Sequence, residues 1–248
     1  MGHLSSPFIF RKTHPVNVPL ALFTAEPPKR DATLGEQVYK QLCELLISGQ
    51  LAPGDRLSLR NAAEILGVSI MPVREAVSRL VSDGGLEVAP NRAVRVPVMS
   101  SSQFRDLTRV RIVLEGHAAA EAALGRDDDD LARIRKAEAD FRAMSLSDNP
   151  DLPRSVELNK ILHFDVYQAA RSPVLVEIIR GLWLKAGPVL NLDLRASPER
   201  LRTGGAVACH ADLLSALVAR DAEAARMALA KDIQNAADYI LSRGRLTD

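Results

Sequence analysis

Residues 56–83 read RLSLRNAAEILGVSIMPVREAVSRLVSD, and their pattern decides the fold of the N-terminal part. Ala62, Ala63, Ile65 and Leu66 form an apolar stripe on a short helix, and Gly67 follows where a left-handed C-terminal cap costs least. Ser69 is placed to cap a second helix, with Pro72 in its first turn, where a missing N–H does no harm. Val73, Val77 and Leu80 recur at the i, i+4, i+7 spacing of a core-facing stripe, leaving Arg74, Ser78 and Arg79 on other faces. Two helices, a glycine-bearing turn and free arginines on the second helix describe a helix-turn-helix, whose second helix enters the DNA major groove. An ordinary corner between helices is the alternative, and the next segment weighs against it. Gly84-Gly85 ends the helix, residues 86–89 and 94–96 alternate like strands, and Pro90-Asn91-Arg92-Ala93 between them is turn-forming. The result is a β-hairpin wing with arginine at its tip.

The 248 residues suit one or two domains and can bury a proper core. An apolar fraction of 47% with 25% charge belongs to a soluble globular chain, and aromatics at 4% favour helices over sheet. No apolar run reaches transmembrane length, and the N-terminus lacks a secretion signal, so a cytoplasmic protein is expected. Cys43 and Cys209, both in helical patterns, fit reduced thiols rather than a disulfide framework. The net charge is +1, and between Thr33 and Val98 seven Lys/Arg face seven Asp/Glu. This neutrality counts against a purely electrostatic nucleic-acid binder, and DNA binding must rest on clustering. Arg60, Arg74, Arg79, Arg92 and Arg95 lie on or beside the supposed reading surface.

Outward from the motif, residues 1–30 carry five prolines and read as a flexible arm. Residues 34–48 form a helix, with Val38, Leu42, Leu45 and Leu46 facing inward. The domains are expected at 31–98, a winged helix-turn-helix, and 99–248, an all-α antiparallel bundle of six or seven helices. In the bundle, residues 103–124 make a long helix whose inner face reads Phe104, Leu107, Val110, Val113 or Leu114, and Ala118. Asp127 to Asp130 complement the next helix's dipole more simply than they bind a metal. A helix follows over about 155–170, and another opens at Pro173, with Gly187-Pro188 expected to kink or end it. Residues 195–202 read as a looser connection, and 206–220 and 221–243 as a final helical hairpin.

Four polar residues stand where core residues are expected. Asn159 and His163 share one helix face, His210 lies on a stripe with Leu214 and Leu217, and Asp232 lies with Ala225, Ala228, Leu229 and Ala236. His210 and Asp232 each stand eleven residues from Asp221, which places them level on neighbouring antiparallel helices. Two imidazoles, a carboxylate and an amide oxygen would suit zinc, nickel or manganese. Buried polar groups that satisfy one another, or water, are the alternative.

The runs GQLAPGDRLS (49–58), AAEILGVSIMPVREAVSRL (62–80) and GGLEVAPNRAVRV (84–96) resemble the winged helix-turn-helix of GntR-superfamily regulators. The remainder resembles the FadR-type, all-helical FCD effector domain. The resemblance implies DNA contacts from Arg60, Ser69, Arg74, Arg79, Asn91 and Arg92. Ile70 and Met71 stand where the family usually has Arg and Thr, which implies a different operator or weaker reading at one base pair per half-site. It also implies a metal at Asn159, His163, His210 and Asp232, with Asn for the family's Asp and Asp232 for its last histidine. Arg111 and Glu115 match an R-x-x-x-E pattern whose arginine faces the effector in the family; a surface i, i+4 ion pair is the other reading, and Arg109 is a rival for the ligand role. The effector set is then Arg111, Glu115, Asn159, His163 and His210. His117 reads as a helix-surface residue and Cys209 as core.

These readings imply a ligand-responsive, DNA-binding transcription regulator. It would be a homodimer on a palindromic operator, a repressor relieved by a small organic acid, with no membrane association. The rival from another class is a metal-dependent hydrolase using His163, His210 and Asp232. No paired acid and base, activated nucleophile or phosphate loop accompanies it.

Overall fold

The computed structural model describes residues 33–194, 200–201, 205–244 and 246–248. The expected arm at 1–30 and most of the 195–202 connection lie outside these residues. Among the described residues the chain opens with α1 (Leu34–Ile47), β1 (Arg56–Leu57), α2 (Leu59–Leu66), α3 (Ile70–Ser82), β2 (Glu87–Val88) and β3 (Val94–Arg95). Six further helices follow among the described residues: α4 (Ser101–Gly125), α5 (Asp128–Ser145), α6 (Leu152–Ala169), α7 (Pro173–Leu194), α8 (Ala206–Ala219) and α9 (Ala222–Ser242). No helix among the described residues is long and apolar enough to cross a membrane.

The head forms as its local signals dictate. Thr33 caps α1 by accepting the Glu36 N–H, and Ser58 caps α2 by accepting that of Asn61. Gly67 closes α2 at φ 63°, a left-handed conformation that glycine adopts without a Cβ penalty. Val73, Val77 and Leu80 of α3 are buried as the spacing requires. Ser69 stands at the N-cap of α3 but makes no side-chain cap bond. The wing pairs β2 with β3 antiparallel, Glu87 opposite Arg95 and Val88 opposite Val94. A third strand, β1, pairs with β3 on its other edge, giving the order β1-β3-β2. Sequence reading missed β1 because two residues carry no alternation to recognise.

In the bundle, a capping box between Ser100 and Gln103 starts α4, and one between Asp127 and Asp130 starts α5. The acidic run at 127–130 therefore serves the helix terminus, and Arg171 ties both Asp127 and Asp130 from a neighbouring loop. Helix α6 begins at Leu152, earlier than about 155, because Asp151 accepts the Arg154 N–H and Pro153 fits the first turn.

Two expectations are corrected. First, α7 does not end at Gly187-Pro188; it runs on to Leu194 with Pro188 inside it. Burial of Ala186, Val189 and Leu190 on both sides of the proline stabilises the segment against the lost backbone hydrogen bond. Second, the inner face of α4 is not the most apolar one. Phe104 and Ala118 are buried and Leu107 and Leu114 pack half-buried against the core, but Val110 and Val113 are 40% and 66% exposed, while Arg111 and Glu115 are buried at 3% and 0%. An apolar stripe indicates the core only when the core is apolar, and this one holds an ion pair at its centre.

Head and bundle share one hydrophobic core, continuous from Val38, Leu42 and Leu46 of α1 to Ile179, Trp183 and Leu184 of α7. Gly187 lets the α7 backbone approach Leu46 and Ile47 directly, and the Asn191 amide donates to the Ile47 carbonyl. Glu44 of α1 is ion-paired to Lys160 of α6 and, at 3.6 Å, to Arg180 of α7.

Candidate functional site

Two sites emerge, one on the head and one inside the bundle. On the head, Arg60, Ser69 and Arg74 are exposed, as are Asn91 and Arg92 at the wing tip. The absent cap bond leaves the Ser69 hydroxyl free for an outside partner. Met71 is 66% exposed at the start of α3, where the family's more polar residues would stand. Arg79 differs from the rest, since its guanidinium lies over the Tyr39 ring, 3.9 Å from the centroid. Asn91 shapes the turn, its side-chain oxygen accepting the Ala93 N–H at 3.2 Å. Arg92 takes a left-handed φ of 62° at the wing tip, and Arg95 is paired with Glu87 across the wing at 2.5 Å.

Inside the bundle, His163 of α6, His210 of α8 and Asp232 of α9 each offer one ligand atom, and these atoms lie within 4.8 Å of one another. The His163 Nε2 is 3.4 Å and the His210 Nε2 3.6 Å from the same Asp232 carboxylate oxygen. The level placement expected from the α8–α9 hairpin is therefore correct. Asn159 is half-buried one turn before His163 on α6. Burial opposes the charge of Asp232, yet His210 and His163 beside it hold its carboxyl well below the ordinary carboxylate range. His210 is 1% exposed, lies tilted against Phe141 at 4.8 Å between centroids, and has no hydrogen-bond partner at either ring nitrogen among the described residues.

Behind this cluster lies a second group of charges, partly unforeseen. The Arg111 Nε donates to Glu115 at 2.7 Å and a terminal nitrogen donates at 3.3 Å, so the pair is a buried fork and not a surface pair. Burial disfavours the guanidinium charge, but Glu115 outweighs it and the Arg111 pKa is raised. Glu115 also accepts from the Trp183 indole at 3.2 Å and from the Tyr167 hydroxyl. Tyr167 in turn meets the His163 Nδ1 at 2.9 Å. Burial and the adjacent Glu115 push the Tyr167 pKa well above its ordinary value, so the phenol keeps its proton. Tyr167 and Trp183 were not singled out as site residues from sequence. The signal was present in the spacing 159, 163, 167, which continues the polar face of α6 by one turn. Arg109 is exposed and paired with Asp106, His117 is exposed, and Cys209 is buried.

The donor set fits a divalent transition metal. Ligand atoms held about 2.1 Å from a tetrahedral ion stand about 3.4 Å apart, close to the 3.4 and 3.6 Å between Asp232 and the two imidazoles, with all three ligand atoms within 4.8 Å of one another. An imidazole buried with two unpartnered nitrogens costs free energy, and an ion at its Nε2 removes part of that cost.

Comparison with known proteins bears on both parts of the chain. Residues 34–96 match the family described as Bacterial regulatory proteins, gntR family, and residues 106–235 match the FCD domain. The HTH-type transcriptional regulator McbR of Escherichia coli (strain K12) is 35% identical over 206 residues, 83% of this chain and 91% of McbR. The Uxu operon transcriptional regulator of the same strain is 28% identical over 244 residues, 88% of this chain and 93% of its own. The solved E. coli McbR/YncC structure has a TM-score of 0.79 at 34% identity, covering 86% of this chain and 99% of that one. These relatives are regulators and not enzymes, so the hydrolase reading finds no support. The winged helix-turn-helix, the helical bundle behind it and these matches together place the chain in the GntR family of bacterial transcription regulators, among the members that carry an FCD domain.

Proposed function

We propose that this regulator is a cytoplasmic repressor of small organic acid metabolism whose operator affinity is set by a carboxylate effector in the bundle. Residues 31–98 form the reading head and 99–248 the effector domain. A homodimer presents two α3 helices to a palindromic operator, with Arg60, Ser69, Arg74, Asn91 and Arg92 at the DNA and Arg79 in a lesser role. His163, His210 and Asp232, with Asn159 beside them, hold a zinc, nickel or manganese ion, and the bound ion supplies a Lewis-acid centre for the effector's carboxylate. Asn159, His163 and His210 surround that carboxylate. Arg111 and Glu115 act from behind, because the fork of Arg111 is already occupied by Glu115.

Helix α7 couples the two parts. Trp183 packs on His163 at 5.4 Å between centroids, and one turn later Gly187 lies against the end of α1. An effector that favours one placement of α7 therefore favours one placement of the heads, and that difference changes operator affinity.

The observation that carries the reading is the convergence of three ligand atoms around an otherwise unsatisfied His210. Elemental analysis of protein purified without chelator or metal-affinity chromatography tests it. About one transition-metal ion per chain is expected, absent from His210→Ala. Operator binding by the metal-loaded protein should then fall when a chelating carboxylate is added. Metal-free protein after reconstitution with zinc, nickel and manganese would refute the site.

A further inference from the structure

We infer that Tyr167 is the positioning residue that sets the tautomer of His163, directing a lone pair from Nε2 into the ligand cluster. The inference rests on the metal reading above but is decided by hydrogen-bond direction within this chain. Glu115 is a carboxylate that already accepts from Arg111 and Trp183, so the contact with Tyr167 has the phenol as donor. A phenol has one proton. Having given it to Glu115, Tyr167 can only accept from its other neighbour, the His163 Nδ1 at 2.9 Å. Nδ1 therefore carries a proton, and the neutral ring has its lone pair at Nε2, 3.4 Å from Asp232. Two lone-pair atoms facing each other repel unless a cation, a proton or a metal ion, lies between them, and His210 brings a third ligand atom to the same place.

Metal-bound histidines commonly donate their second nitrogen to a partner that fixes ring and tautomer. Here that partner is a phenol oriented by a buried ion pair. Arg111 thus holds Glu115, Glu115 holds the Tyr167 proton, and Tyr167 holds the His163 ring. The R-x-x-x-E pattern serves the ligand cluster through this chain of contacts.

Tyr167→Phe is the test, since it keeps the ring against Phe164 and removes only the hydroxyl. Two readouts are taken on the full chain: zinc affinity by chelator competition, and the His163 tautomer by long-range proton–nitrogen NMR of the metal-free protein. The expected result is Nδ1–H in the wild type, loss of that preference in the variant, and zinc binding weakened about 10–100-fold. A wild-type His163 protonated at Nε2 and bare at Nδ1, or a variant with unchanged tautomer and unchanged zinc affinity, would overturn the inference. A wild type that binds no zinc but shows Nδ1–H, lost in the variant, removes the metal reading and leaves the tautomer assignment standing. Thermal unfolding of the metal-free variant separates a structural effect, which would lower the melting temperature without moving the tautomer and would likewise overturn the inference.

Discussion

Gly187→Ala should uncouple the head from the bundle. A Cβ at this position would lie 2.8 Å from the Ile47 Cα, the Ile47 carbonyl oxygen and the Leu46 carbonyl oxygen, about 0.6 Å short of the 3.4 Å at which ordinary contact begins. All three are backbone atoms of α1, so no side chain can rotate away and α7 must retreat. Overpacking of this kind costs about 1–3 kcal/mol. Retreat also strains the Asn191 bond to the Ile47 carbonyl, a contribution of about 1 kcal/mol, while alanine's better helix propensity returns about 1 kcal/mol. The preference of a residue before proline to leave the α region acts in the same unfavourable direction. The net effect is about 2 kcal/mol of destabilisation, or about 4–8 °C in melting temperature for a chain of this size. Gly181 provides the control on the same helix, because a Cβ there meets nothing within 4 Å among the described residues. Gly181→Ala should stabilise by about 0.5–1 kcal/mol. Calorimetry reads both shifts, and hydrogen exchange locates them. The Gly49 and Gln50 amides, bonded to the Leu46 and Leu45 carbonyls at the end of α1, should exchange faster only in Gly187→Ala. A Gly187→Ala protein that melts at or above the wild type, or that protects these amides equally, would refute the α1–α7 contact as the coupling surface.

Two further perturbations follow from the sites. Arg111→Ala leaves Glu115 buried without its counter-charge and should cost about 3–5 kcal/mol in denaturant unfolding, whereas exposed Arg109→Ala should stay within about 0.5 kcal/mol; comparable effects would contradict the burial pattern. Arg74→Ala should weaken operator binding by about 1–3 kcal/mol in fluorescence anisotropy, with a smaller loss for Arg79→Ala because Tyr39 already holds that guanidinium; the reverse order would move the reading surface towards the C-terminal half of α3.

Much of the head was legible because its signals are local. Gly67, Pro72, Gly84-Gly85 and the PNRA turn act through backbone conformations that a few neighbouring residues specify. The α8–α9 hairpin was legible for a related reason. A tight turn at Asp221 converts equal sequence distances into equal heights, so His210 and Asp232 could be set beside each other by counting. Reading failed where an environment distant in sequence outvoted the local pattern. Val113 is apolar yet exposed and Glu115 charged yet buried, because α6 and α7 supply Tyr167 and Trp183 to satisfy that carboxylate. Pro188 would end an isolated helix, but α7 continues because its neighbours are buried.

From sequence alone came the winged helix-turn-helix, the helical bundle and the three side chains that converge within it. Capping, turn and periodicity signals are properties of short segments, and short segments carry them into the folded chain. Only the tertiary structure decided that the Arg111–Glu115 pair is interior, that Tyr167 links it to His163, and that Gly187 brings α7 against the backbone of the head. Each of these depends on which helix lies against which. Packing selects that arrangement through contacts between residues far apart in sequence, such as 47 with 191 and 115 with 183.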